Sequence, residues 1–278
     1  MIKIAETSAT YIDHMGSDLS VVNAARTSFD KESEWVGTAL GAPYPGCKVQ
    51  TKHARGAGAL GSACLKEPDA KLIRFLARGY RTGEWNDLMD FMATCETGEA
   101  MERALLQFKN KPQHWAPFGH PHMTMRLEMP IFLARQFVKH QVGGVWSEMS
   151  RRYVSDGLEF WFPKVWHTRP ADVKQGSGEP VEVQQYCNNV AIRVTEQAAA
   201  AYGALLAEGV APEEARITLP LNLMTTITWT GSLLFWARVV NQRVDPHAQL
   251  AAQELGRKIS VVIDPYFPVS WAELVSVS

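Results

Sequence analysis

Residues His122–Gln136 read HMTMRLEMPIFLARQ, and the apolar pattern changes period in the middle of the stretch. Before Pro130, Met123, Met125 and Leu127 alternate with polar or charged residues, the period of two expected of a half-buried strand. Proline suits the first position of a helix, because its missing N–H has no intrahelical partner there, and IFLARQFVKHQ then supplies a helical body. The stretch therefore predicts a strand running directly into a helix.

Beyond it, Gly143 and Gly144 are expected to stop that helix, which places the polar cluster of KHQVGGVWSEMSRRY, Lys139–Tyr153, on a turn. Upstream, DAKLIRFLARGY carries Leu72, Ile73, Phe75 and Leu76 at helical spacing, with Gly79 as its cap. Downstream, PVEVQQYCNNVAIRVTEQAAAAYGALLAEG predicts a long Ala-rich helix closing at Gly209, and APEEARITLP opens on an acidic first turn before Arg216. NLMTTITWT is rich in β-formers. Ser232 can cap a helix through LLFWARVVNQR, and Asp245-Pro246 separates it from a last amphipathic helix, HAQLAAQELGRKISVVI. Strands and helices are interspersed, so the chain reads as a mixed α/β or α+β fold in one domain. The Gly- and Pro-rich run from Glu34 to Cys64 and the polar VWHTRPADVKQGSGEP read as surface elaboration.

The bulk numbers narrow the function. Of 278 residues, 46% are hydrophobic and 21% charged, and the formal net charge is −1, which gives no electrostatic reason to expect a nucleic-acid polymer as partner. No stretch offers the roughly 20 apolar residues of a membrane span, and MIKIAETSATYIDHMGSD lacks the apolar core of a signal peptide, so a cytoplasmic protein with no membrane partner is expected. The cysteines Cys47, Cys64, Cys95 and Cys187 form no CxxC pair, which points to free thiols and to no metal site.

Ser150, Arg151 and Arg152 can form an anion site, a hydroxyl and guanidinium forks converging on phosphate oxygens, or equally a serine turn with two solvated arginines. His140 can move a proton or be a structural histidine at a helix end. Glu148 can orient a ligand or face solvent; Trp146 can stack on one or fill the core. Arg216 and Arg243 stand in apolar surroundings, where a buried guanidinium needs a carboxylate or a bound anion. No GxGxxG or Walker fingerprint is present.

The segment KHQVGGVWSEMSRRY resembles the signature of the flavin-dependent thymidylate synthases, an Arg-His-Arg triplet followed after seven or eight residues by Ser-x-Arg. Here Lys139-His140-Gln141 is followed, after eight residues, by Ser150-Arg151-Arg152. VVNAARTSF, HWAPFGH, PIFLARQ, EEARITLPLNLMT and RVDPHAQ also resemble the family's blocks, in its order. The resemblance implies an α+β fold, an antiparallel sheet with packed helices, in a single elaborated domain over 1–278 with insertions near 37–70 and 85–110. It implies conversion of dUMP to dTMP with methylenetetrahydrofolate as carbon donor, FAD as cofactor and NADPH as reductant, in a homotetramer with active sites at subunit interfaces.

By position, the resemblance assigns Gln136, Phe137, Val138, Lys139, Glu148, Ser150, Arg151, Arg152 and Arg216 to dUMP, mostly to its phosphate. Arg243 would face the uracil as the catalytic residue, favouring ionisation at N3. Lys139, His140, Gln141, Glu148, Ser232, Arg238 and His247 would line FAD. Lys139 and Gln141 replace the outer arginines of the triplet, and neither offers a bidentate cationic fork. Ala116, Gly119, Ser147, Ser232 and Leu234 also depart from residues common in the family. The altered triplet motivates two further readings: a deoxypyrimidine-monophosphate hydroxymethylase that keeps fold and flavin, and a deoxynucleotide-binding homologue without chemistry.

Overall fold

The computed structural model describes residues 2–37, 50–51, 63–78, 83–109, 114–170 and 176–275. In chain order the strands and helices are β1 Lys3–Ile4, β2 Ser8–Met15, α1 Asp18–Arg26, β3 Val36–Gly37, β4 Gln50–Thr51, β5 Ala63–Cys64, α2 Glu67–Leu76, α3 Gly83–Ala93 and α4 Gly98–Lys109. They continue with β6 His122–Pro130, α5 Ile131–Phe137, β7 Gly144–Glu148, β8 Glu159–Phe160, α6 Gln184–Ala207, α7 Pro212–Ala215, β9 Met224–Ser232, α8 Leu233–Arg243, α9 Leu250–Ile263 and α10 Pro268–Leu274. The described chain divides into two compact units, 1–12 with 124–230 and 242–259, and 13–123 with 231–241 and 260–278.

The first unit is organised by a four-stranded sheet ordered β2-β6-β9-β7. The Thr124 and Thr230 hydroxyls lie 2.9 Å apart, and the Ile131 N–H donates to the Leu223 carbonyl at 2.9 Å. Residue numbers rise along β6 as they fall along β9, so the two strands are antiparallel. The same reasoning applies to β7 and β9: the Trp146 and Trp229 rings are 4.8 Å apart, while the Met149 N–H donates to the Thr226 carbonyl at 2.9 Å. The fold is mixed helix and sheet with an antiparallel sheet, as the resemblance implies.

The period-two reading of β6 holds residue by residue. Met123, Met125, Leu127 and Met129 are wholly buried, whereas Thr124 and Glu128 are partly buried and Arg126 is exposed. On β9, Ile227 and Trp229 are buried on one face, and Phe137 of α5 packs edge-on against Trp229 at 6.4 Å. Each such side chain contributes roughly 1.5–3 kcal/mol by leaving water. Pro130 is the residue at which β6 ends and α5 begins, the strand-to-helix junction expected of it.

α6 closes as its sequence predicts. Gly209 adopts φ +81°, and the N–H groups of Gly209 and Val210 donate to the carbonyls of Leu206 and Leu205, the paired bonds of a glycine-terminated helix. Among the described residues of and beside the polar VWHTRPADVKQGSGEP segment, the Thr168 and Val181 N–H groups donate to the Glu179 and Trp166 carbonyls, a two-sided ladder.

In the second unit, α1, α2 and α10 pack together. Asp18, wholly buried at the start of α1, accepts from the backbone N–H groups of Val269 and Ser270, both at 2.9 Å, and so caps α10. Burial pushes the Asp18 carboxyl above the usual range although these amides oppose the shift. Arg26 pairs with the buried Asp69, which also accepts from the Ser33 hydroxyl at 2.9 Å, tying α1 to α2. A Cβ at Gly231 would lie 2.0 Å from Cδ1 of Phe235, so only glycine lets β9 pass this ring.

Four expectations change. β7 occupies Gly144–Glu148, where a turn was expected, because cross-strand partners on β9 extend the glycine-rich segment. α5 ends at Phe137, well before Gly143. α9 is not the last helix, since α10 follows it. Cys64 is disulfide-bonded, while Cys95 and Cys187 are free thiols. Gly79 and most of 37–70 lie outside the described residues, and the stretch near 85–110 carries α3 and α4.

Candidate active site

One pocket of the first unit, with a volume of about 380 Å³, collects Glu148, Ser150, Arg151, Arg152 and Arg216 around an apolar wall of Ile131, Leu219, Leu223 and Met224. β7 delivers Glu148 and the turn after it delivers Ser150 to Arg152, while Arg216 opens the single 3-10 turn after α7. Thr225 at the start of β9 completes the lining. Its hydroxyl donates to Glu148 Oε1 at 2.8 Å, which fixes the one carboxylate of the pocket against the sheet. Thr225 was not among the sequence candidates; its place in the alternation of NLMTTITWT is the only signal that marks it.

The polar atoms of this pocket are unequally committed. The Ser150 oxygen accepts from the Arg152 N–H and from its Nε–H, each at 3.3 Å, leaving its own proton to donate outward. Arg152 is exposed, with its guanidinium 5.0 Å from the Tyr153 ring, and Arg216 is exposed with Nε–H donated to the Glu213 carbonyl at 3.1 Å. Exposure removes the expectation that Arg216 needs a buried partner. Neither arginine has a carboxylate partner among the described residues, so both guanidinium forks are available to an anion.

Arg151 differs from them. It is only 9% exposed and donates Nη1 to the carbonyls of Asp156 at 2.6 Å and Val154 at 3.4 Å, and Nη2 to that of Gly157 at 3.3 Å. Burial lowers its pKa, while Tyr202, Asp156 and Glu159 favour the charged form. Its guanidinium edge is used on its own turn, unlike the phosphate contact assigned to it from sequence.

A second cluster forms where α5 meets the end of α8. Arg243 is half-buried, donating Nε–H to His140 Nε2 at 3.0 Å and Nη2 to the Gln136 carbonyl at 2.9 Å, with its guanidinium 5.3 Å from the Phe137 ring. Of the two expected partners, a carboxylate or a bound anion, no carboxylate pairs with it among the described residues, which leave its charge uncompensated. Burial lowers the Arg243 pKa. His140 accepts at Nε2, so its proton sits on Nδ1 and the ring is neutral. Burial, followed by the Arg243 charge, pushes its pKa down to about 4. The Gln136 side chain donates to Gln249 Oε1 at 2.7 Å.

A histidine with a folded pKa near 4 and an ordinary value of 6.5 binds fewer protons folded than unfolded between those values. Its contribution is complete above pH 6.5 and is lost as pH falls towards 4. Urea unfolding followed across that window is expected to show stability declining with acid, with a shallower slope in His140→Asn; identical slopes would refute the coupling.

The remaining candidates are placed separately. Phe137 is fully buried and Val138 partly, so the Phe137 side chain is not offered to a ligand. Lys139 and Gln141 are exposed, and Lys139 has no ionic partner among the described residues. His247 is exposed and bound through Nδ1 to Asp245 at 3.0 Å. Ser232 and Arg238 belong to the second unit, where the Ser232 oxygen accepts the Phe235 N–H at 3.1 Å, the predicted cap, and Arg238 is exposed. Neither Arg243 nor His140 lines the 380 Å³ pocket. Lys139, Gln141 and His247 are each exposed and of a chemistry that can donate to the phosphates of a flavin.

The open forks of Arg152 and Arg216 beside Ser150 give this pocket the chemistry to hold a small anion. The family described as Thymidylate synthase complementing protein matches residues 10–269, and the chain belongs to it. The chain is 32% identical over 171 residues to the flavin-dependent thymidylate synthase of Thermus thermophilus, covering 62% of this chain and 63% of that protein. It is 29% identical over 180 residues to that of Ehrlichia ruminantium, covering 63% and 60%. The chain thus matches less than two thirds of these relatives' length. A crystal structure of a UMP/dUMP methylase, PolB from Streptomyces cacaoi, bound with 5-Br dUMP, shares the fold at a TM-score of 0.67 and 21% identity, covering 98% of this chain and 96% of that one.

Proposed function

We propose that this chain is a flavin-dependent thymidylate synthase that converts dUMP to dTMP, with methylenetetrahydrofolate as carbon donor and NADPH as reductant. The observation that carries the reading is the pocket holding the free forks of Arg152 and Arg216 beside the Ser150 hydroxyl, a set suited to a 5′-phosphate. Gln136, Phe137, Val138 and Lys139 supply the remaining nucleotide contacts, through backbone where the side chain is buried.

Arg243 presents an uncompensated, half-buried cation to the uracil, favouring ionisation at N3 and so raising the electron density at C5, the carbon that takes up the one-carbon unit. His140 stays neutral, accepts the Arg243 Nε–H, and so fixes the plane of that guanidinium. Glu148, held by Thr225, orients the bound nucleotide from the pocket wall. Lys139, His140, Gln141 and His247 hold the flavin. Bound there and reduced by NADPH, the flavin would supply the hydride that completes the methyl group. Sites shared between subunits of a homotetramer account for the two clusters of one chain serving a single nucleotide, and residues 1–278 act as one catalytic domain in the cytoplasm.

An anaerobic assay of the purified, FAD-supplemented protein with NADPH, methylenetetrahydrofolate and dUMP tests this reading through the flavin spectrum and the nucleotide mass. Flavin bleaching and reoxidation with dTMP as product is the expected result. A hydroxymethylated nucleotide, or dUMP binding without flavin and without turnover, overturns it.

A further inference from the structure

The turn that carries Ser150 and Arg152 is stitched from within. The Tyr153 and Val154 N–H groups both donate to the Ser150 carbonyl, at 3.1 and 3.2 Å, and the chain then passes Gly157 at φ +62°. Arg151 fills the centre of this loop and draws the carbonyls of Val154, Asp156 and Gly157 onto one guanidinium. Its Nε is buried without a partner, a cost accepted at a residue that is only 9% exposed. No carboxylate closes on it among the described residues.

We infer that Arg151 is a positioning residue rather than a phosphate ligand: by gathering the Val154–Gly157 carbonyls it sets the orientation of Ser150 and Arg152 towards the bound nucleotide. The inference rests on the nucleotide-binding reading of this pocket. Two neighbouring arginines then have opposite duties, one turned into the turn and one left open to the ligand. A lysine at 151 is a poor substitute, because a single ammonium on a flexible stem cannot reproduce the planar fork that reaches these carbonyls.

The test compares Arg151→Ala, Arg151→Lys, Arg152→Ala and Gly157→Ala in the FAD-loaded protein. Readouts are kcat and KM for dUMP, calorimetric dUMP binding, and hydrogen exchange at the Tyr153 and Val154 amides. Gly157→Ala strains the turn at a left-handed φ without touching any charge, and its Cβ meets nothing within 4 Å, so it probes the turn if Arg151→Ala fails to fold.

Arg151→Ala and Gly157→Ala are both expected to raise KM by about tenfold with kcat within about twofold, and to speed exchange at the two amides, with Arg151→Lys intermediate. Arg152→Ala weakens dUMP binding without changing exchange. A rise in KM for Arg151→Ala with unchanged exchange and a neutral Gly157→Ala makes Arg151 a direct ligand and overturns the inference. Faster exchange with an unchanged KM makes it a structural clamp only, and also overturns it. Wild-type protein that binds no dUMP defeats the functional reading instead, and exchange then still decides whether Arg151 holds the turn.

Discussion

Arg243→Ala is expected to lower kcat/KM for dUMP by about 10³-fold, the size of effect seen when a charge-stabilising donor is removed from an active site. Folding should be nearly unaffected. The side chain donates to the His140 ring and to the Gln136 carbonyl, two charge-assisted bonds worth about 1.5 kcal/mol each at a half-buried site. Its removal also relieves the cost of holding an uncompensated cation in a half-buried place and removes the charge that opposes protonation of His140. These changes offset one another, so the urea midpoint should shift little while turnover collapses. Arg243→Lys restores charge but not the fork and should recover only a small part. Single-turnover rates and an unfolding curve on the same samples decide the matter: near-normal turnover in Arg243→Ala removes this residue from the chemistry.

The double variant Arg152→Ala, Arg216→Ala should weaken dUMP binding by about 100-fold and leave deoxyuridine, which lacks the phosphate, unaffected. Each fork is exposed and uncommitted to any carboxylate of the described chain, so neither loss leaves a buried orphan. Charge-assisted bonds to a ligand contribute about 1.5–3 kcal/mol each, and solvent screening at an exposed rim reduces that towards the lower figure. Calorimetry with both ligands separates the alternatives. Equal losses for dUMP and deoxyuridine would mean that the pocket was deformed, and no loss for either would place the phosphate elsewhere.

How much of this was readable in the chain depends on the range of the interaction concerned. Met123, Met125 and Leu127 announced a half-buried strand because alternation is a property of the segment itself, and all three are buried. The closure of α6 at Gly209 and the capping of α8 by Ser232 were legible for the same reason. β7 was not: its glycines resemble a turn, and only Trp229 and Thr226, about eighty residues away, make it a strand. α10 is seven residues long and held by an aspartate 251 positions earlier, which no local pattern records.

The site divides in the same way. The gathering of Ser150, Arg152 and Arg216 into one pocket was foreseen through family-like blocks, since residue type and order carry that information. The destination of Arg151 was not, because Arg in an Ser-Arg-Arg run says nothing of which fork turns inward; that depends on the carbonyls presented by the next few residues. Nor was the pairing of Arg243 with His140, which joins positions 103 apart. The sequence reading gave each a ligand, and the fold gave them first to each other.

The bond from Asp18 to the amides of Val269 and Ser270 has a consequence for how the protein is made. The second unit draws on residues 13–123, 231–241 and 260–278, and its first helix grips its last across 252 positions. A ribosome adding about 5–20 residues per second delivers α1 many seconds before α10 exists to receive its cap. Until then Asp18 has no amides to accept from and the apolar faces of α1 and α2 lack their third neighbour. This unit cannot be finished in the order of its synthesis, and its completion waits until Pro268–Leu274 has left the ribosome.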